Sequence, residues 1–228
     1  MTLPFRSLNP LLLLGLLAAC SGSSTNLSMS VRTGTTPGAA NVKPRALSGG
    51  GGVNLTHVRM VIEEIKLEPA SASGNSSDGG VQGEDVVSGP YLIDLSGSAL
   101  ESGLTQVFNV EARPGTYEEI RFKIHKLSGG DPQFPGMAGL SINLDGTFNG
   151  ATFNWTSSLD EEQRKEGTFV LQDGASNNVT LTIDTTKWFV DRNGAPIDPR
   201  DESKRSIVED NIKASIDAFD DDDHKGHR

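Results

Sequence analysis

Apolar and polar residues alternate in short runs over most of this chain. The clearest run is residues 117–126, with Ile120, Phe122 and Ile124 on one face and Arg121, Lys123 and His125 on the other. A period of two is typical of a half-buried β-strand. Residues 107–112 form a similar run, and Pro114-Gly115 lies between the two. This arrangement predicts a β-hairpin closed by a type II turn.

Other runs with strand character follow at short intervals. They are residues 26–32, 58–67, 91–95, 140–144, 151–156, 167–171 and 179–183. The Asn149-Gly150 turn favours a hairpin, because Asn-Gly between apolar runs fits a two-residue turn. In residues 58–67 the alternation slips at Glu63, which predicts a β-bulge there. The spacing of the apolar residues in this segment also fits a helix, but its β-branched content favours a strand.

The pattern changes near the C-terminus. Apolar residues from Val208 to Phe219 recur every three to four positions, which predicts an amphipathic helix over residues 198–219, packed on the sheets. Asp198-Pro199 fits an N-cap followed by proline in the first turn. Residues 159–166 are charged and predict a loop or a helical turn. Residues 220–228 form an acidic tail with two histidines.

Together these elements predict a mainly β fold, an antiparallel β-sandwich of about eight strands with one C-terminal amphipathic helix. The sandwich domain is expected to span residues 53–197. A mobile insertion rich in Ser, Gly and Asp is expected at residues 69–90. Residues 20–52 have the composition of a flexible spacer and end in four glycines, although residues 26–32 within them predict a first strand.

The N-terminus has the features of an export signal. Residues 1–19 combine Arg6, their only charged side chain, with an apolar stretch too short to span a membrane. Leu17-Ala18-Ala19-Cys20 resembles the lipobox of bacterial lipoproteins, in which the cysteine is lipidated and the signal is cut before it. The alternative is an ordinary secretory signal with an incidental cysteine. Cys20 is the only cysteine, and Ser21 after it implies, by the same resemblance, the outer membrane.

Charge limits the partners. The chain has 20 basic and 30 acidic side chains, a formal net charge of −10. Nucleic acid is not expected as a partner, because phosphate binding needs a basic surface. Contact with the membrane is expected through the acyl chains rather than through electrostatic attraction to anionic lipid.

One segment has candidate metal ligands. Asp191, Asn193, Asp198 and Asp201 place oxygen atoms along a loop next to Gly194, a pattern that resembles a calcium loop of the dockerin type. The glycine position and the intervening Arg192 depart from that pattern. A turn followed by a helix cap explains the same residues without a metal. No cofactor is expected beyond this calcium site.

No catalytic motif is present. The chain has no Gly-x-Ser-x-Gly, no phosphate-binding Gly-x-x-x-x-Gly-Lys and no His-Glu-x-x-His. His57 and His125 are predicted on outward faces of strands, where a solvated role is the common one. We therefore expect a non-catalytic binding or structural module with a protein or glycan ligand. A calcium-dependent adhesion or sensing module is one alternative, and an envelope hydrolase is another.

Three segments carry a family resemblance. They are residues 58–67, residues 114–122 with their Pro-Gly-Thr-Tyr stretch, and residues 188–219. They resemble a family of uncharacterised bacterial lipoproteins whose exported domain is a transthyretin-like or immunoglobulin-like sandwich. The resemblance implies an architecture and an envelope location, and it implies no catalytic residue.

Overall fold

The fold is given by a computed structural model that describes residues 24–33, 47–70, 85–101 and 104–220. The predicted signal peptide, Cys20 and the tail beyond Asp220 lie outside the described residues. So does most of the predicted insertion at residues 69–90. The predictions for these segments stay predictions.

Within the described ranges, twelve strands form two sheets, which confirms the mainly β sandwich, although with more strands than the eight predicted. Sheet A has the order β12-β11-β1-β6. Sheet B follows the path β10-β7-β3-β8-β9, with β2, β4 and β5 also paired to β3. The strands are β1 Thr25–Thr33, β2 Leu47–Gly50, β3 Val53–Pro69, β4 Val86–Ser88, β5 Tyr91–Ser96, β6 Leu104–Ala112, β7 Gly115–Ile124, β8 Ile142–Phe148, β9 Ala151–Ser157, β10 Glu161–Leu171, β11 Asn177–Ile183 and β12 Ile216–Asp220. The helices are α1 Ser98–Glu101 and α2 Arg205–Ala214, with 3-10 turns at Thr185–Lys187 and Glu202–Lys204.

Sheet B is built around β3, which is 17 residues long. One edge of β3 pairs first with β8 and then with β7, and the other edge pairs with β2, β5 and β4. The register shifts between Ile62 and Glu64, so the bulge predicted at Glu63 is confirmed and the helical alternative is wrong. A second shift lies between Leu55 and His57. The two bulges keep apolar side chains on the core face along the whole strand.

The predicted first strand at residues 26–32 is confirmed as β1, and it occupies an inner position of sheet A. It pairs antiparallel with β6 and parallel with β11. The sandwich is therefore not purely antiparallel as predicted. Alternation in a sequence reports which face of a strand is buried, and it does not report the direction of the neighbouring strand.

The predicted hairpin of residues 107–126 is wrong, although both strands exist. β6 pairs with β1 in sheet A, while β7 pairs with β3 and β10 in sheet B. The Pro114-Gly115 turn thus crosses from one sheet to the other. Gly115 lacks the positive φ that a type II turn requires. The buried Tyr117 fixes the crossing, because its hydroxyl donates to the Arg113 carbonyl at 2.8 Å.

The C-terminal helix is shorter than predicted. Helix α2 ends at Ala214, and residues 216–220 form β12, in which Ile216 pairs with Ile183 and Ala218 with Leu181. The Ser215 hydroxyl donates to the Ile212 carbonyl and closes the helix. Ile216 fits the helical spacing of the preceding apolar residues, and Ile216 and Ala218 also fit the strand period of two. The pairing with β11 determines that this segment is a strand.

Two segments predicted as irregular are strands. Residues 161–166 begin β10, which pairs with β7; its charged side chains are typical of a protected outer strand.

Gly49 and Gly50 belong to β2 rather than to a flexible spacer. Gly50 has φ +82°, and a Cβ atom there would collide with the Thr186 carbonyl oxygen, so close packing explains the glycine. The insertion is likewise bounded by β4 at Val86–Ser88, within the range predicted as mobile.

The core lies between the sheets and continues beneath α2. Phe122, Trp188 and Phe189 are among its largest fully buried side chains. The indole Nε1 of Trp188 donates to the Ser215 Oγ at 2.8 Å, so this tryptophan joins the core to the end of α2.

Candidate binding surface

A polar cluster lies on the outward face of sheet B, where β5, β3, β8 and β9 run side by side. We call it the histidine cluster. Its members are His57 and Arg59 on β3, Asp94 on β5, Asn143 and Asp145 on β8, and Asn154 on β9. The register places Arg59 between Asp94 and Asn143, and His57 beside Asp145. Four strands thus contribute to one continuous patch.

The second bulge of β3 turns His57 outward. Leu55 and Val58 both face the core although three positions separate them, so the residues between them are displaced to the outer face. Gly146 lies opposite Leu55, and a Cβ atom there would collide with the Asn54 carbonyl oxygen. The bulge and the glycine are therefore coupled, because the bulged backbone leaves no room for a side chain on β8.

The His57 imidazole lies between two carboxylates. Its Nε2 is 2.7 Å from Asp94 Oδ1, and its Nδ1 is 3.8 Å from Asp145 Oδ2. Arg59 approaches Asp145 as well, with 3.6 Å between Nη2 and Oδ2. Asp94 and Asp145 remain 43% and 38% exposed, so each keeps oxygen atoms available to solvent or to a ligand.

Two asparagines fix the position of Asp145. The Asn154 Nδ2 donates to Asp145 Oδ1 at 2.8 Å and to Asn143 Oδ1 at 2.7 Å. Asn143 is buried, which gives these bonds a rigid base. Asp145 is therefore held from three sides by Asn154, His57 and Arg59.

An apolar loop forms a wall beside the cluster. Phe134 and Met137 cover Val61, which faces outward from β3 between the two bulges. Arg59 Nη1 donates to the Pro135 carbonyl of the same loop at 3.3 Å. The patch thus combines exposed carboxylates, the exposed amide of Asn154 and an imidazole, and Phe134 and Met137 beside it are buried. Such a surface suits a ligand with hydroxyl, amide or amino donors.

The rest of the outward face is occupied by ion pairs. Lys66 pairs with Glu68 and Asp85, Lys123 pairs with Glu63, and Arg121 pairs with Glu68. Hydrogen bonds to Asp85 and Glu68 raise the pKa of Lys66, and a hydrogen bond to Glu63 raises the pKa of Lys123. These cations are neutralised within the sheet, as expected for a solvated surface.

Three of the four predicted calcium ligands, Asp191, Asp198 and Asp201, accept hydrogen bonds from neighbouring residues. Asp191 Oδ1 accepts from the backbone N–H groups of Asn193 and Ala195, both at 2.8 Å. Asp198 pairs with the Arg200 guanidinium, and side-chain and backbone hydrogen bonds from Arg200 lower the pKa of Asp198.

Asp201, rather than Asp198 as predicted, is a cap, and it caps the 3-10 turn Glu202–Lys204 through the Ser203 N–H. Within the described ranges, no three His, Cys, Asp or Glu side chains are grouped so that they could hold a metal ion. Calcium binding stays a prediction.

The sequence predicted that His57 and His125 face outward from their strands, but it did not predict which residues lie beside His57. The predicted orientation is confirmed by their side-chain exposures of 29% and 27%. His125 lies elsewhere on the face, with its Nδ1 3.1 Å from Asp160 Oδ1. The spacing of Leu55 and Val58 was a signal of the bulge under His57. Asp94 and Asp145 had no such signal, because they join the patch only through the strand order.

The chain was compared with protein families, curated proteins and solved structures. No family model and no curated protein matches the chain. Among solved structures, it is similar to "MbnP from Methylosinus trichosporium", with 12% sequence identity over 72% of this chain and 77% of that chain, at a TM-score of 0.36. At this TM-score the likeness supports no conclusion about function. None of the helices in the described part of the chain has the length and apolar character to cross a membrane.

Proposed function

We propose that this chain is a lipid-anchored lipoprotein of the bacterial envelope whose β-sandwich is a non-catalytic binding or structural module. The observation that carries the proposal is the lipobox-like Leu17-Ala18-Ala19-Cys20, which contains the only cysteine. A diacylated cysteine supplies enough buried methylene groups for stable anchoring, at about 0.8 kcal/mol each. Ser21 after the cysteine favours delivery to the outer membrane.

The histidine cluster is the proposed contact surface. Its side chains are fixed by mutual hydrogen bonds, so little ordering is needed when a ligand binds. Among the described contacts of His57 and His125, the ion-pair partners are aspartates, and none is a serine, threonine or cysteine that could be activated as a nucleophile. The exposed oxygen atoms of Asp94 and Asp145 and the His57 imidazole are suited to recognition of hydroxyl or amide groups of a protein or glycan ligand.

The anchor is tested by replacing residues 1–20 with an ordinary cleavable secretory signal. The variant keeps the whole domain but loses the lipidation site. We expect it to be soluble after export, whereas the native chain fractionates with membranes and incorporates labelled palmitate. A Ser23→Ala variant, which leaves the lipobox intact, is the control. A secreted variant that still fractionates with membranes at the native level would contradict the anchor.

The contact surface is tested by photo-crosslinking in cells. A photoreactive amino acid at position 94 is expected to capture a partner protein or envelope glycan. The control position is Arg164, which lies on β10 of the same sheet and is 56% exposed. Equal capture from both positions would show that the histidine cluster is not the contact surface.

A further inference from the structure

β9 is an outer strand of sheet B. In the part of the chain that the structure describes, it pairs with β8 on one side and with no strand on the other. Two other outer strands of sheet B have side-chain contacts with strands of sheet A. β10 lies near β12, with Lys165 Nζ 3.5 Å from Asp217 Oδ1. β5 lies near β6, where the rings of Tyr91 and Phe108 stack at 3.9 Å.

The free hydrogen-bonding groups of β9 belong to its even-numbered residues. Asn149 and Gly150 both have positive φ, so they form the two-residue turn that makes Phe148 and Ala151 a hydrogen-bonded pair. Odd-numbered residues of β9 therefore bond to β8, and even-numbered residues point away from it. The Arg205 guanidinium confirms this parity, because it donates to the outward-pointing carbonyl of Thr156.

Among the described residues, the N-terminal part of this edge, from Ala151 to Asn154, has no charged group that would repel another strand. The sequence of β9, ATFNWTS, has no charged residue and no proline. The side chains of Thr152 and Asn154 are exposed beside the free edge. Natural sheets protect free edges with charges, proline or a covering element. In the described part of the chain, such protection lies at the C-terminal end of β9, where Arg205 donates to the Thr156 carbonyl and the buried Ser157 donates to Glu209. By contrast, the outer strand β10 begins with charged residues.

We propose that β9 pairs antiparallel with β9 of a second copy of this chain, so that two copies of sheet B become continuous. The strand has seven residues, and a twofold axis at Asn154 places Asn154 opposite its equivalent and Thr152 opposite Thr156. In this register the backbone groups of Asn154 bond to their equivalents, and Thr152 lies opposite Thr156 of the partner subunit. The Thr156 carbonyl can accept a second donor besides Arg205, because a carbonyl oxygen has two lone pairs.

The strand is self-complementary, and this favours a second copy over another partner. The cross-strand neighbours on the outward face would be Thr with Thr and Asn with Asn, pairs that stabilise antiparallel strands without charge repulsion. The pairing does not depend on the lipid anchor, so its test is independent of the proposed function.

The first test measures the mass of the full chain in the Cys20→Ser background by analytical ultracentrifugation. We expect a concentration-dependent dimer. Thr152→Lys places a charge at the edge of each copy, and we expect it to raise the dimer Kd by about tenfold or more. Thr147→Lys is the control, because Thr147 lies beside Thr152 on β8, one strand away from the edge; its Kd should stay near that of the parent.

The second test checks the register by disulfide crosslinking in the same background. Asn154→Cys places two thiols opposite each other at the twofold axis, within the Cα separation of about 4.4–6.8 Å that a disulfide needs. Thr152→Cys places its two thiols four residues apart, about 13 Å along the strands, and should not crosslink.

A chain that stays monomeric at all concentrations would overturn the proposal and leave the edge to an extended segment of a different protein. Crosslinking of Thr152→Cys as fast as Asn154→Cys would also overturn it. Thermal melting of each variant establishes that the sandwich has folded.

Discussion

Phe122 and Lys123 are neighbours in β7 and face opposite sides of sheet B, so they test the fold at one point. Phe122 is 1% exposed and belongs to the core, where its β-strand partners are Ile65 and Gln163. Lys123 is 38% exposed, and its Nζ lies 2.8 Å from Glu63 Oε2. We expect Phe122→Ala to destabilise the protein strongly and Lys123→Ala to have little effect.

The magnitude follows from the buried area. A buried aromatic side chain removes at least about 150 Å² from water. At about 25 cal/mol per Å², this area contributes about 4 kcal/mol. Alanine keeps a small part of that burial, while the remaining cavity adds a further loss. We therefore expect Phe122→Ala to lower the free energy of unfolding by about 3–5 kcal/mol. Solvent and salt screen the exposed Lys123 pair, so its removal should leave the unfolding midpoint nearly unchanged.

Urea unfolding followed by tryptophan fluorescence measures both effects. Trp155 and Trp188 are buried, so their emission reports exposure of the core. An unchanged dependence on urea concentration would show that the variants unfold in the same two-state manner. Equal, small losses at Phe122 and Lys123 would refute the assignment of faces in β7. A large loss at Lys123 would refute it as well.

Two further predictions concern the glycines of β2 and the predicted calcium loop. Gly50→Ala should destabilise the protein more than Gly97→Ala. Both glycines have positive φ, but a Cβ atom at Gly50 would collide with backbone, whereas a Cβ atom at Gly97 would meet nothing within 4 Å. The thermal midpoint of each variant measures the effect, and equal shifts would show that close packing of β2 is not what requires glycine at position 50. If the loop binds calcium, millimolar calcium should raise the melting temperature of a variant lacking residues 220–228. Asp191→Ala in that variant should abolish the rise. An unchanged melting curve of the variant lacking residues 220–228 would falsify calcium binding by this loop.

The local pattern of the sequence determined most of the strands of this protein. Alternation located β5, β7 and β9 because each has one face toward the core and a more exposed outer face, and a period of two records that difference directly. It also located β1 and β11, although all seven residues of β11 are buried, because threonine alternates with the aliphatic residues Val179, Leu181 and Ile183. The bulge at Glu63 was visible for the same reason, since an extra residue changes the phase of the apolar positions. The Asn149-Gly150 hairpin was determined by its turn, because few residues accept positive φ at two successive positions.

Only the tertiary structure decided which strands are neighbours. β6 and β7 follow each other in sequence but belong to different sheets, and β1 meets β11, about 150 residues later, in parallel. Backbone hydrogen bonds make these pairs, and every residue except proline offers the same backbone groups, so side-chain patterns carry little information about the partner. The end of α2 was decided in the same way, by the pairing of β12 with β11.

The histidine cluster depends wholly on such pairing. His57 was recognisable as outward-facing, but Asp94 and Asp145 come from strands that the sequence separates by about 50 residues. They meet because both β5 and β8 pair with the same long β3. The sequence by itself therefore determined the lipobox-like motif, most strands and their buried faces. The surface where a ligand would bind was decided by the order of strands in the sheet, which arises from non-local hydrogen bonds and core packing.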